Sequence, residues 1–272
     1  MTRIGELKNY LRNKAADGIA LAFSGGVDSS FLLAVLKEIC DETPFPLQAL
    51  TMLTVFQRQD ELIEARQIAA SCGVKLAEFT CDPLSLPQLR NNPPDRCYWC
   101  KRHIFQVFRD YAGKNRLEVL MDGTNGDDLH VYRPGRRALR ELGVVSPLAE
   151  LGFTKAEIRQ LAAERGLQCA KKPAMPCLAT RFEYGTELTP ERLKMAAEGE
   201  ELIRHLLPPE TDLRLRVHDR IARIEVSPEA LETVLRNRRE IAAGLKKLGF
   251  EFITLDLEGF RSGCYDKKEE KL

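Results

Sequence analysis

The chain has 272 residues, with 41 Lys and Arg against 40 Asp and Glu for a formal charge of +1, and 44% of its residues are apolar and 30% charged. This composition excludes disordered and collagen-like proteins, and near-zero charge argues against a protein built to grip long nucleic acids. No window approaches the ~20 consecutive apolar residues of a membrane span, and Met1–Glu6 lacks the apolar core of a signal peptide, so a cytoplasmic protein of two domains is expected.

Gly18–Phe23 is a short apolar run followed by Ser24-Gly25-Gly26-Val27-Asp28-Ser29-Ser30 and the helical pattern Phe31–Leu36. That order reads as strand, glycine-rich turn and helix. Leu47–Val55 then reads as a buried strand, Asp60–Ser71 as a helix, Val74–Thr80 as a strand, Lys101–Tyr111 as a helix and Glu118–Asp122 as a strand. Strands alternating with helices imply crossover units and a parallel sheet. Ligands of such sheets bind beyond the carboxyl ends of the strands, which brings Ser24–Ser29 and Gly123-Thr124-Asn125 to one crevice.

Thr154–Arg165 reads as a helix closed by Gly166, and an irregular stretch from Lys171 to Arg181 follows, because Pro173 and Pro176 forbid a regular helix. Beyond Thr189 come a helix (Pro190–Leu207), strands Leu213–Val217 and Ile221–Val226 across a tight turn, a helix (Pro228–Leu248) and a strand (Phe250–Leu257). The expected architecture is an α/β parallel-sheet domain over 1–187, a small α+β domain over 188–264 for substrate binding or oligomerisation, and a frayed tail over 265–272.

The turn Ser24–Ser29 puts small residues where backbone approaches a ligand, and it opens a helix whose N–H groups favour an anion. It lacks the lysine of the Gly-Lys-Ser/Thr mononucleotide loop and is not a Gly-x-Gly-x-x-Gly turn. A carboxylate among phosphates needs a cation between them, so Asp28 points to magnesium. The plain alternative is a tight turn capped by Ser24 or Asp28. Asp127 and Asp128 are weaker candidates for metal or substrate and read more readily as a helix amino-terminal charge pair.

Ser24–Ser29 resembles the Ser-Gly-Gly-x-Asp-Ser/Thr motif of the PP-loop ATP pyrophosphatase superfamily. The resemblance implies ATP cleavage between the α and β phosphates, adenylylation of a carbonyl or carboxylate oxygen, and displacement of AMP by a nucleophile. It also implies nucleotide contacts from Gly123, Thr124 and Asn125.

Eight cysteines are too few and too irregular for a secreted disulfide scaffold. Cys97-Tyr98-Trp99-Cys100-Lys101 is a two-thiol pair that by itself leaves zinc, redox dithiol and cluster readings open. His103 could add a third zinc ligand. Cys177 stands among Pro173, Pro176 and Arg181, a rigid, positively charged setting that favours thiolate. Cys40, Cys72, Cys81, Cys169 and Cys264 lack such context and read as core or surface thiols.

Lys172–Gly185 narrows the family, together with Arg96–Lys101, Tyr132–Gly135 and Gly259–Gly263. These strings resemble the LarE family, the ATP-dependent sulfur transferases that build the nickel-pincer nucleotide cofactor of lactate racemase. The resemblance implies a pyridinium dicarboxylate mononucleotide as substrate, thiocarboxylates as product and Cys177 as the sulfur-delivering residue. In one kind of member a lone cysteine sacrifices its sulfur. In the other, cysteines matching Cys97, Cys100 and Cys177 hold a 4Fe-4S cluster with one iron left open, since full ligation takes four. All three are present here, which favours the cluster.

Leu213–His218 alternates Arg214, Arg216 and His218 onto one face, and two guanidinium forks suit a phosphate, although alone such alternation reads as a solvated strand face. The resemblance carries Arg214, Arg216 and Arg261 onto the substrate-phosphate site and implies a homo-oligomer; the sulfur donor stays unassigned. Among the rivals, a tRNA-thiolating enzyme conflicts with the charge balance, despite the basic segment Arg133, Arg136, Arg137 and Arg140. An ammonia-using synthetase leaves Cys97, Cys100 and Cys177 unexplained, and a non-catalytic nucleotide-binding or electron-transfer module stays open if the second domain binds only a partner.

Overall fold

The computed structural model describes residues 2–15, 18–131, 133–172, 176–261 and 265. Tyr132, Pro173, Cys264 and the tail 266–272, all parts of motifs or segments read from the sequence, lie outside the described residues. The chain packs as two compact units, the first from Met1–Thr54, Gln59–Cys81 and Asp95–Lys172, the second from Val55–Arg58, Asp82–Pro94 and Pro173–Leu272.

The first unit contains, in order, α1 (Arg3–Ala15), β1 (Ile19–Ala22), α2 (Val27–Glu42), β2 (Leu47–Leu53), α3 (Gln59–Ser71), β3 (Leu76–Thr80), α4 (Arg96–Lys114), β4 (Val119–Met121), α5 (Gly135–Glu141), α6 (Pro147–Glu150) and α7 (Lys155–Glu164). The strands pair in parallel in the order β3-β2-β1-β4. Period-two alternation explains the layers. Ile19 and Leu21 pack with Leu7, Phe31, Leu36 and Ile158 of α1, α2 and α7, whereas Ala20 packs with Phe105, Phe108 and Leu139 of α4 and α5. Strand order reverses between β1 and β4, so the loops that leave these two strands flank the switch point where α/β sheets bind ligands.

In the first unit the structure adds α1, α5 and α6 to the sequence reading and starts α4 earlier. The helix α1 is an addition, anchored by Leu7 and Leu11 one turn apart, both fully buried. Helix α4 begins at Arg96 rather than Lys101, so Cys97 and Cys100 lie in its first turns. Its buried stripe of Tyr98, Phe105, Phe108 and Ala112 runs back through the cysteine segment, and Trp99 Nε1 donates to Asp95 Oδ2 at 2.9 Å, fixing the helix start.

The second unit contains α8 (Pro190–Arg204), β5 (Leu213–His218), β6 (Ile221–Val226), α9 (Leu231–Arg236), α10 (Arg238–Lys247) and β7 (Phe252–Leu255). Strands β5 and β6 form an antiparallel hairpin and β7 adds in parallel to β6. Asp219, at φ 50, makes the two-residue turn, a conformation that Asp tolerates better than most side chains. The helix expected over Pro228–Leu248 is broken at Asn237, whose side-chain amide donates to Thr233 O at 2.9 Å and ends α9. Among the described residues no helix is long and apolar enough to cross a membrane.

Candidate functional site

The loop after β1 is shaped by its small residues. Gly25 takes φ +73, and a Cβ there would stand 3.1 Å from the Ala65 Cα and Cβ. Ser24 Oγ accepts from Gly26 N at 3.3 Å and shares a 3.2 Å hydrogen bond with Ser29 Oγ, which also donates to Gly26 O at 3.2 Å. The side chains thus hold the loop in a fixed curl, and no side chain caps the α2 amino terminus at Gly26. Its first-turn N–H groups suit an anion.

The loop after β4 closes on it. A Cβ at Gly123 would meet Ser29 N at 2.8 Å and Ser29 Cα at 3.1 Å, so only glycine allows this contact. Asn125 Nδ2 donates to Asp28 Oδ2 at 3.3 Å, and Lys155 Nζ donates to the same oxygen at 2.6 Å. The other oxygen, Asp28 Oδ1, is buried without a hydrogen-bond partner among the described residues. A buried carboxylate oxygen left open beside an anion-binding loop fits a magnesium ligand, and the Lys155 ammonium supplies a second fixed positive charge. Of the residues read as nucleotide contacts, Ser24, Gly25, Gly26, Asp28, Ser29, Gly123, Thr124 and Asn125 all come together around this loop.

Lys155 was not anticipated. The signal was present in Thr154-x-x-Glu157, a capping box in which Thr154 Oγ1 accepts from Glu157 N and the Glu157 side chain accepts from Thr154 N. It fixes Lys155 as the first helical residue, facing the loop. Asp127 Oδ2 accepts from Lys155 N at 2.8 Å, while Asp128 Oδ2 accepts from Asn125 N and pairs with Arg133 at 2.9 Å. These two acids therefore lock the turn and the α7 amino terminus. Asp122, buried at the end of β4, accepts from Thr124 Oγ1 and from Ser146 Oγ at 2.6 Å, with Lys101 Nζ 4.0 Å away.

Cys97 and Cys100 are three apart on α4 and so share a helix face, with Cys97 exposed. A Cβ on Gly135 would meet Lys101 Cδ at 2.7 Å and Cys97 O at 3.2 Å, so α5 packs closely on the cysteine turn. Among the described residues no group of three or more His, Cys, Asp or Glu side chains gathers to hold a metal ion, and this includes any set with His103. Cys177 belongs to the second unit. Its carbonyl accepts from Thr180 N at 3.0 Å, Thr180 Oγ1 at 2.8 Å and Arg181 Nη1 at 3.3 Å, which holds the turn rigidly. Cys40, Cys72 and Cys81 are half-buried and Cys169 is buried; burial pushes the Cys72 and Cys169 thiols up, which keeps them protonated and unreactive.

The arginines of β5 are buried, at 4% exposure each for Arg214 and Arg216. Arg216 Nε and Nη2 both lie 2.9 Å from Glu225 Oε2, Nη1 donates to Thr180 O at 2.5 Å and Nη2 to Arg261 O at 3.5 Å. Most of its fork is thus committed inside the protein. Arg181 makes a bidentate pair with Glu200 at 2.7 and 2.8 Å, and Glu200 also accepts from Leu215 N at 2.9 Å. Burial alone would raise the Glu200 carboxyl, but Arg181, the Leu215 N–H and Arg214 hold it below its ordinary value. Arg214 is pulled down to about 10, first by burial and then by the charge of Arg181. A guanidinium whose charge is disfavoured in this way gains from an incoming anion. Arg261 is half-exposed and pairs with Asp256 at 3.3 Å and Glu258 at 2.6 Å.

A parallel sheet with a Ser-Gly-Gly-x-Asp-Ser loop at its switch point defines an ATP-binding enzyme of the PP-loop class, and residues 12–130 match the asparagine synthase family. The pyridinium-3,5-bisthiocarboxylic acid mononucleotide synthase of Lactiplantibacillus plantarum is 34% identical over 262 residues, which is 96% of this chain and 91% of that protein. An uncharacterized protein of Synechocystis is 35% identical over 249 residues, 91% of each chain. The tRNA-specific 2-thiouridylase MnmA of Geobacter metallireducens is 27% identical over 202 residues, 60% of this chain and 54% of that protein. The chain belongs to the family of the pyridinium-3,5-bisthiocarboxylic acid mononucleotide synthase, LarE, and is an ATP-using sulfur-transferase enzyme.

Proposed function

We propose that this enzyme inserts sulfur into adenylylated carboxylates of a pyridinium dicarboxylate mononucleotide, giving thiocarboxylates for the nickel-pincer cofactor of lactate racemase. The observation that carries this reading is the 34% identity to the Lactiplantibacillus plantarum synthase along 96% of the chain. The thiouridylase relationship supports the sulfur chemistry, but it reaches only 60% of the chain.

In this reading the triphosphate meets the α2 amino terminus, with Ser24, Gly25, Gly26 and Ser29 forming the cradle and Gly123, Thr124 and Asn125 its opposite wall. Asp28 would hold magnesium through its open Oδ1, while Lys155 stays on Oδ2. A substrate carboxylate oxygen attacks the α-phosphorus and pyrophosphate leaves. Fixed positive charge from Lys155 and the helix N–H groups stabilises the departing anion. A sulfide-level sulfur held at Cys177 then attacks the acyl carbon and AMP leaves. In the sacrificial route the Cys177 Cβ–S bond then breaks as the Cα proton is lost, which frees the thiocarboxylate and leaves dehydroalanine, and in the cluster route the sulfur would come free from its carrier with the product. Arg214, Arg216 and Arg261 hold the phosphate of the substrate.

Cys97, Cys100 and Cys177 are the residues that would hold a 4Fe-4S cluster, and three thiol donors are the right number and kind to leave one iron open. When bound, such a cluster supplies an exchangeable sulfide at its open iron. The alternative, sacrifice of the Cys177 sulfur, leaves the Cys97 and Cys100 pair without a role. A reducing cytoplasm and a homo-oligomeric assembly complete the proposal.

Protein purified without oxygen tests the cluster. About four iron and four sulfide per chain, lost in each of Cys97→Ala, Cys100→Ala and Cys177→Ala, is the expected result. Protein without iron in which Cys177 is still essential would favour the sacrificial route.

A further inference from the structure

The two arginines at facing positions of the β5–β6 hairpin, Arg216 and Arg223, are register partners, and like charges placed opposite each other repel. Two groups offset that repulsion. Glu225 lies between them, with Oε2 on Arg216 and Oε1 on Arg223, each at 2.9 Å. The ring of Tyr265 covers both guanidinium groups, with its centroid 5.1 Å from Arg216 and 5.9 Å from Arg223.

The ring is itself held. The Tyr265 hydroxyl lies 3.3 Å from His218 Nε2, and His218 Nδ1 lies 2.9 Å from Glu183 Oε1. The carboxylate can only accept, so Nδ1 carries a proton, and Nε2 and the Tyr265 hydroxyl share the second hydrogen bond. The imidazole and phenol rings meet edge-on at 72° with centroids 6.2 Å apart. Glu183, His218, Tyr265 and Arg216 thus form one chain of contacts, and Arg216 extends it to Thr180 O and Arg261 O.

We infer that His218 and Tyr265 are positioning residues of the substrate-phosphate site, where Glu183 and His218 orient the Tyr265 ring so that it holds Arg216 in the fork geometry that frames Arg261. The inference rests on the reading that Arg214, Arg216 and Arg261 take the phosphate. Neither residue touches the anion; each acts through Arg216.

Nicotinic acid mononucleotide, a pyridinium carboxylate with a 5′-phosphate, is the probe, its Kd measured by calorimetry on the full chain with the Kd for ATP as control. Tyr265→Ala is expected to weaken probe binding about tenfold, and Tyr265→Phe and His218→Gln about threefold each, the scale of a lost cation–π or hydrogen-bond contact. Because the hydroxyl and the imidazole act as one link, the double variant should lose no more than either single variant, while ATP binding stays unchanged. Residues in contact couple in this way whatever their role, so the unchanged Kd for ATP is what separates positioning from a purely structural loss. Should Tyr265→Ala fail to fold, Tyr265→Phe, His218→Gln and their double variant carry the test. If the parent does not bind the probe, or Arg214→Ala binds it as the parent does, the phosphate reading falls. If Arg214→Ala weakens binding but the Tyr265 and His218 variants bind as the parent, or their losses multiply in the double variant, the positioning inference alone is overturned.

Discussion

Asp28 carries two different oxygens: one pinned by Lys155 and Asn125, the other buried and open. This asymmetry lets one side chain both orient a lysine and offer a ligand to a cation. Asp28→Asn should cut ATP-to-AMP turnover by about a hundredfold or more, the scale for losing one preorganised electrostatic group, with the circular dichroism spectrum unchanged. In the second unit, Glu200→Ala should destabilise the fold by ~3–5 kcal/mol in urea titrations, because Arg181 and Arg214 stay buried without it. The pH dependence follows from the same group. Its folded carboxyl is held below the ordinary value of 4.5, so ionised Glu200 stabilises the fold above that pH. The contribution is lost as pH falls through the folded value, and the parent's melting temperature should drop more steeply in acid than that of Glu200→Gln.

At the scale of elements, the alternation of strands and helices was readable because parallel strands buried on both faces leave apolar runs, continuous in Ile19–Ala22 and interrupted by Gln48 and Thr51 in Leu47–Leu53. Element ends were less legible. Cys97 and Cys100 drew attention as ligands, while Tyr98, in phase with Phe105, carried the weaker signal that the helix already includes them. The break at Asn237 depends on one side-chain amide that periodicity does not register. The contact of two loops at Gly123 was legible only as a shared strand end, since a glycine whose Cβ would stand 2.8 Å from the Ser29 backbone nitrogen leaves no pattern of its own. Gly123→Ala should therefore weaken ATP binding about tenfold and destabilise by ~1–3 kcal/mol, the cost of overpacking. Gly113→Ala, inside α4 where the new Cβ would meet nothing within 4 Å among the described residues beyond its own helix, should stabilise by ~0.5–1 kcal/mol and leave ATP binding unchanged; thermal melts and ATP titrations of both variants check the contrast.

At the scale of the whole molecule, the motif strings pointed to the nucleotide loop and the family, but they did not announce the buried ion pairs that support the arginines. Arg214 and Arg216 looked equally like a solvated strand face, because alternation reports which face a residue takes and not what covers it. The partners Glu200 and Thr180 come from outside the hairpin, which local spacing cannot connect, while Glu225 faces the arginines from the hairpin's own second strand. The most direct test of ATP-dependent sulfur transfer combines anaerobic protein, ATP, magnesium and the pyridinium dicarboxylate mononucleotide, with mass spectrometry of the nucleotide products. The account predicts AMP together with a pyridinium product in which carboxylate oxygen is exchanged for sulfur, and neither exchange nor thiocarboxylate with Cys177→Ala. AMP formation without any sulfur-bearing product from the parent, or the same thiocarboxylate from Cys177→Ala, would contradict it.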